Sequence, residues 1–126
     1  MILLDTNIIS AAINPAANQP VRQWMDRQQE GALFLCTPVL AELRFGVALL
    51  AEGQRKSALT LGYGKLETLL FAGRVVSFDK AAAHEFAEIK ARRQKAGLSI
   101  GSMDALIAAI ARANSMTLAT RNTGDF

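Results

Sequence analysis

The chain has 126 residues, with 14 Lys and Arg against 11 Asp and Glu, a net charge of +3, and a hydrophobic share of 51%. That length suits one domain with its own core, and that composition excludes a disordered tail, a collagen-like repeat and a membrane-embedded bundle. Cys36 is the single cysteine, which excludes an intramolecular disulfide framework and a multi-cysteine metal site.

Met1 to Leu4 is a short apolar run that ends in Asp5-Thr6-Asn7. It reads as a buried strand delivering its carboxyl end to a polar site. A short helix follows to Ile13 and stops at Asn14-Pro15. Asn18-Gln19-Pro20 starts the next helix and Gly31 stops it, with Val21, Trp24 and Met25 spaced to face the core. Leu33 to Cys36 is a second strand. Thr37 then serves as N-cap and Pro38 as the first helical residue of a helix running to about Glu52-Gly53.

A further helical segment spans roughly Arg55 to Phe71, weakened by Gly62 and Gly64. Arg74 to Phe78 is a third strand. Asp79 caps a long helix ending at Gly97, and Arg92, Arg93 and Lys95 sit near its carboxyl end, where cations suit the dipole. Ser102 caps the next helix, from Asp104 to about Ala113, and Met116 to Ala119 is a fourth strand. Strands alternating with helices, without hairpin signals, predict an α/β fold: a central parallel sheet of about four strands between two helical layers. Residues 1–126 are expected to form a single domain. No basic leader precedes an apolar run and no stretch of about 18 apolar residues occurs, so a cytoplasmic protein is expected.

In such sheets functional groups collect beyond the carboxyl ends of the strands. Asp5 ends strand one, Glu42 lies in the second turn after strand two, Asp104 opens a later helix, and Asp125 follows strand four. Glu42 has Val39 and Phe45 three residues to either side, so it is expected on an apolar face. Asp104 opens a helix that is apolar nearly all round. Carboxylates in such places need a partner or a cation. Singly, Asp5 could cap a helix, Asp104 could complement a helix dipole, Glu42 could pair with a distant Arg, and Asp125 could be a turn residue. Jointly, four acids drawn to one edge point to a hard ion, Mg²⁺ or Mn²⁺, and to phosphodiester hydrolysis.

The blocks Leu3-Leu4-Asp5-Thr6-Asn7-Ile8-Ile9-Ser10, Ala41-Glu42-Leu43-Arg44-Phe45-Gly46, Asp104-Ala105-Leu106-Ile107-Ala108 and Ala119-Thr120-Arg121-Asn122-Thr123-Gly124-Asp125-Phe126 occur in this order across the whole chain. In them the sequence resembles the PIN-domain nucleases, specifically the VapC-like and FitB-like toxins of type II toxin–antitoxin pairs. The resemblance implies a three-layer α/β/α fold and a Mg²⁺-dependent endoribonuclease. Asp5, Glu42 and Asp104 match the family's metal-binding acids and Asp125 its fourth. Thr6 and Thr120 match hydroxyls that border the site, and Asn122 a polar neighbour. Asn7 and Arg121 lie in the same motifs and complete the candidate substrate-binding or supporting set. The implied partners are RNA, an antitoxin whose tail occupies the toxin's groove, and a second copy in a homodimer. The helices from Pro38 to Phe71 would form a clip that contacts antitoxin. Family members usually add an edge strand after the Asp-Phe pair; this sequence ends at Phe126, so strand four is expected at a sheet edge.

Other residues carry less. His84 sits mid-helix without a catalytic constellation around it, Cys36 reads as inert core, and Trp24 as packing. Arg44 points about 200° around the helix from Glu42, towards solvent, phosphate or antitoxin. Arg121 is placed for either an RNA phosphate or a site acid. A haloacid-dehalogenase-type phosphatase would need an acid where Asn7 stands. The alternative function is a catalytically degenerate PIN-like domain that only binds protein or nucleic acid.

Overall fold

The computed structural model describes residues 1–13, 19–124 and 126. Four strands, β1 (Ile2–Leu4), β2 (Leu33–Cys36), β3 (Val75–Val76) and β4 (Thr117–Ala119), form one parallel sheet in the order β3-β2-β1-β4. The described helices are α1 (Thr6–Ile13), α2 (Gln19–Asp26), α3 (Thr37–Ala48), α4 (Gln54–Lys65), α5 (Lys80–Lys95) and α6 (Ser102–Ala113). The result is the expected three-layer α/β/α arrangement, with β4 at one sheet edge.

β1 lies inside the sheet, so both its faces must be apolar. Leu3 and Leu4 are fully buried, and Leu3 sits in register with Phe34 on one side and Leu118 on the other. Leu35, Val39, Ile107 and Ile110 extend this core into the flanking helices. Val21, Trp24 and Met25 pack against it as their spacing predicts.

The helix ends show where local signals held and where tertiary contacts overrode them. Asp79 caps α5, its Oδ1 accepting the Ala82 N–H at 3.0 Å. Gly97, at φ +73°, closes the same helix: Leu98 N–H donates to Arg93 O and Gly97 N–H to Gln94 O, a Schellman motif. Thr37 is the first residue of α3 rather than its cap, and Cys36 takes the capping position. The Thr37 hydroxyl instead accepts the N–H of Phe78 at 3.3 Å, tying the start of α3 to the chain just past β3. Likewise Ser102 is the first residue of α6, and the capping residue is Gly101.

α2 and α3 are shorter than their patterns suggest, ending at Asp26 and Ala48. Gly62 and Gly64 do not break α4, which runs on into a π-helical turn at Leu66–Leu70, where Phe71 N–H donates to Leu66 O at 2.9 Å. The expected stop at Asn14-Pro15 and the cap at Asn18 lie outside the described residues.

The strand order reverses direction between β1 and β4. At such a switch point the two flanking connections leave in opposite directions and open a crevice at the carboxyl edge. Asp5 and Thr120, each the residue after its strand, stand on its two sides.

Candidate active site

The cleft at this edge is built by four short stretches of chain. Asp5 N–H donates to Ala119 O at 2.9 Å, the last backbone bond between β1 and β4, and the chain turns at once into α1. This abrupt strand-to-helix turn fixes Asp5 at the cleft floor, where it is only 4% exposed. Its Oδ1 accepts the N–H of Thr6 at 2.7 Å, and its Oδ2 accepts the Thr120 hydroxyl at 2.6 Å and the Asn7 amide at 3.4 Å.

Glu42 arrives on α3, which starts without any loop after β2. Its Oε1 accepts the Thr6 hydroxyl at 2.7 Å. Thr6 thus touches two acids at once, Asp5 through its N–H and Glu42 through its hydroxyl. The expected apolar surroundings of Glu42 are half present: Val39 is fully buried, but Phe45 is exposed. Asp104 lies in the first turn of α6, where a carboxylate suits the positive end of the helix dipole, and its Oδ2 accepts from Asn122 Nδ2 at 3.4 Å.

Asp5, Glu42 and Asp104 therefore line one cleft, with Thr6, Asn7, Arg121 and Asn122 around them. Ser10 also lines it; sequence reading passed over this residue, although it lies one helical turn beyond Thr6 and Asn7. Asp125 lies outside the described residues. His84 is exposed on α5 and does not line the cleft. Arg44 turns away to Glu67 Oε2 at 2.8 Å and joins α3 to the π-helical turn.

The electrostatics are distinctive. Asp5 and Glu42 have no Lys, Arg or His ion pair among the described residues. The donors to these two acids are hydroxyls, an amide and a backbone N–H, all neutral. A buried carboxylate without a cation is costly. The donor set, carboxylates and hydroxyls without sulfur or imidazole, is the chemistry that Mg²⁺ or Mn²⁺ selects. Among the described residues no three metal-ligating side chains yet close on a common point, so the residues fit such an ion by charge and donor type and share its cleft rather than forming a finished cage. Beneath them lies Cys36, whose thiol is pushed up to about 12, first by burial and further by the nearby charges of Asp5 and Glu42. It is inert core.

Comparison with known proteins covers the chain as a whole. The PIN domain family profile matches residues 2–126. The plasmid stability protein StbB of Pseudomonas syringae pv. tomato is 45% identical over 126 residues, covering all of this chain and 91% of that protein. A VapC ribonuclease of Sinorhizobium fredii is 38% identical over 129 residues, covering all of this chain and 90% of that protein. The crystal structure of FitAcB from Neisseria gonorrhoeae superposes with a TM-score of 0.93 at 41% identity, covering all of this chain and 91% of that one.

Proposed function

This chain belongs to the PIN-domain family, and from that premise we propose that it is a Mg²⁺- or Mn²⁺-dependent endoribonuclease acting as the toxin of a toxin–antitoxin pair. The observation that carries the proposal is the cleft itself. A nearly buried Asp5 shares it with Glu42 and Asp104, and Asp5 and Glu42 take hydroxyls, an amide and a backbone N–H as donors. Relatives named as VapC ribonucleases support RNA as the substrate.

In this reading Asp5, Glu42 and Asp104 hold the cation, with Asp125 as a candidate fourth ligand. When bound, the ion neutralises the acids and supplies Lewis-acid charge for attack of water on phosphorus. The chain's own groups prepare that step. Thr6 and Thr120 spend their hydroxyl protons on Glu42 and Asp5, which fixes the direction in which each carboxylate faces. Arg121 and Asn122 on the rim meet the RNA backbone, where a guanidinium and an amide suit phosphate oxygens. The end of β1 and the helices α3 and α6 hold the acids on rigid elements, so little reorganisation accompanies catalysis.

The antitoxin reading has its own support. Phe45, Leu49, Leu61, Leu69 and Leu70 are five of the eight large apolar side chains exposed among the described residues, and all lie within 38–71. Such a concentration of exposed apolar surface marks a protein-binding face. We assign this helical clip to antitoxin binding and homodimer formation within one domain of residues 1–126. Relatives whose structures are toxin–antitoxin complexes support the antitoxin. No helix of the described residues is long and apolar enough to cross a membrane. The deciding experiment is RNA cleavage by the purified chain with Mg²⁺, then with excess EDTA. Cleavage that stops with EDTA and returns with Mg²⁺ is expected; full activity in EDTA would refute the proposal.

A further inference from the structure

The hydrolysis argued above gives Asn7 no task, yet its amide reaches two sides of the cleft. Its Nδ2 donates to Asp5 Oδ2 at 3.4 Å, and its Oδ1 accepts the backbone N–H of Arg121 at 3.0 Å. The two partners make opposite demands, one for a donor and one for an acceptor. An amide carries both on separate atoms and so can bridge groups on either side of it.

The partner segment needs such a hold. β4 ends at Ala119, and residues 120–122 belong to no helix or strand. Backbone outside regular structure must take its hydrogen bonds from side chains or water. Here Thr120 Oγ1 accepts the Asn122 N–H at 2.9 Å while donating to Asp5 Oδ2, and Asn7 secures the residue between them. The bond from Asn7 to Arg121 spans 114 positions of sequence.

We propose that Asn7 is a positioning residue, a side-chain strap that pins the Thr120–Asn122 segment across the cleft and through Thr120 aims the Asp5 carboxylate. The effect on cleavage rests on the ribonuclease reading; the strap itself does not.

The test compares the full chain with Asn7→Ala, Asn7→Asp, Thr120→Val and the Asn7→Ala/Thr120→Val double variant. Amide exchange at Arg121, followed by NMR, reports the strap directly. Losing one hydrogen bond to this amide speeds its exchange by about three- to tenfold in Asn7→Ala. Asn7→Asp keeps an acceptor and stays within about twofold of the parent. On RNA, Asn7→Ala lowers kcat by about tenfold with KM held, the scale of a supporting group around a metal site. The double variant is then slower than Thr120→Val alone by much less than tenfold, because once the Thr120 bond to Asp5 is gone only the longer direct bond from Asn7 is left to lose. Unchanged Arg121 exchange in Asn7→Ala overturns the strap. Kinetic losses that multiply in the double variant overturn its action through Thr120. A parent chain that cleaves no RNA overturns the ribonuclease reading instead, and Arg121 exchange alone then decides the strap.

Discussion

Glu42 and Glu67 are the same residue type on neighbouring helical segments, and they find opposite partners. Glu67, on the π-helical turn, takes Arg44 at 2.8 Å, as Glu52 takes Lys56 and Glu85 takes Arg112. Glu42, at the sheet edge, takes a threonine hydroxyl, as Asp5 takes a threonine hydroxyl, a backbone N–H and an amide. These three peripheral acids are neutralised by cations of the chain itself. Asp5 and Glu42 are oriented by neutral donors, so their charge stays available to something from outside. Between Glu42 and Glu67 the difference lies in the partner rather than in the residue type.

The sharpest way to break that contrast is to remove a cleft charge while keeping its shape. Asp5→Asn and Asp104→Asn should each cut RNA cleavage to about a hundredth of the parent rate or less, since an amide is a poor ligand for a hard cation. Circular dichroism and thermal unfolding should show both variants folded. Retained cleavage would place the chemistry elsewhere.

Next in size is the orienting hydroxyl. Thr6→Val leaves both acids in place but frees Glu42, and calorimetry with Mn²⁺ should show affinity weakened by about 10- to 100-fold. Parent-like affinity would mean that the hydroxyl plays no part in aiming the carboxylate.

The charges of the cleft should also be felt from below. The Cys36 thiol is raised from its ordinary 9.0 to about 12 in the folded chain, foremost by burial. The unfolded chain therefore loses its thiol proton first. This contribution to stability is intact below pH 9 and is lost as pH rises towards 12. Unfolding midpoints in urea should show a decline over that window that is smaller in Cys36→Ala. At pH 8 the native thiol should resist alkylation that the unfolded chain undergoes.

The smallest effect belongs to the periphery. Glu67→Gln removes the Arg44 pair, whose side chains are both about one-third exposed. It should cost about 0–1 kcal/mol of stability and leave cleavage unchanged. A large loss of activity there would erase the distinction between the two sets of acids.

Much of the site was legible because its residues sit at positions that sequence marks strongly. Asp5 ends a run of buried apolar residues, and Asp104 opens a helix rich in Ala and Ile. What stayed hidden was pairing. Thr37 and Ser102 look like caps but begin their helices, and the Thr37 hydroxyl reaches the chain beyond β3. Glycines at 62 and 64 look like breaks but lie inside a helix that runs on into a π turn. Arg44, open to several partners by helical angle alone, is claimed by Glu67.

By itself the sequence determined the alternation of strands and helices, the parallel sheet this implies, and the edge at which the acids gather, because periodicity and strand ends are local properties of the chain. Only the tertiary structure decided the strand order with its switch point between β1 and β4, the bridge of Thr6 between two acids, and the reach of Thr120 and Asn7 across the cleft. Those contacts join residues as far as 115 positions apart. Their hydrogen-bond geometry depends on how the sheet and helices pack, which no local pattern records.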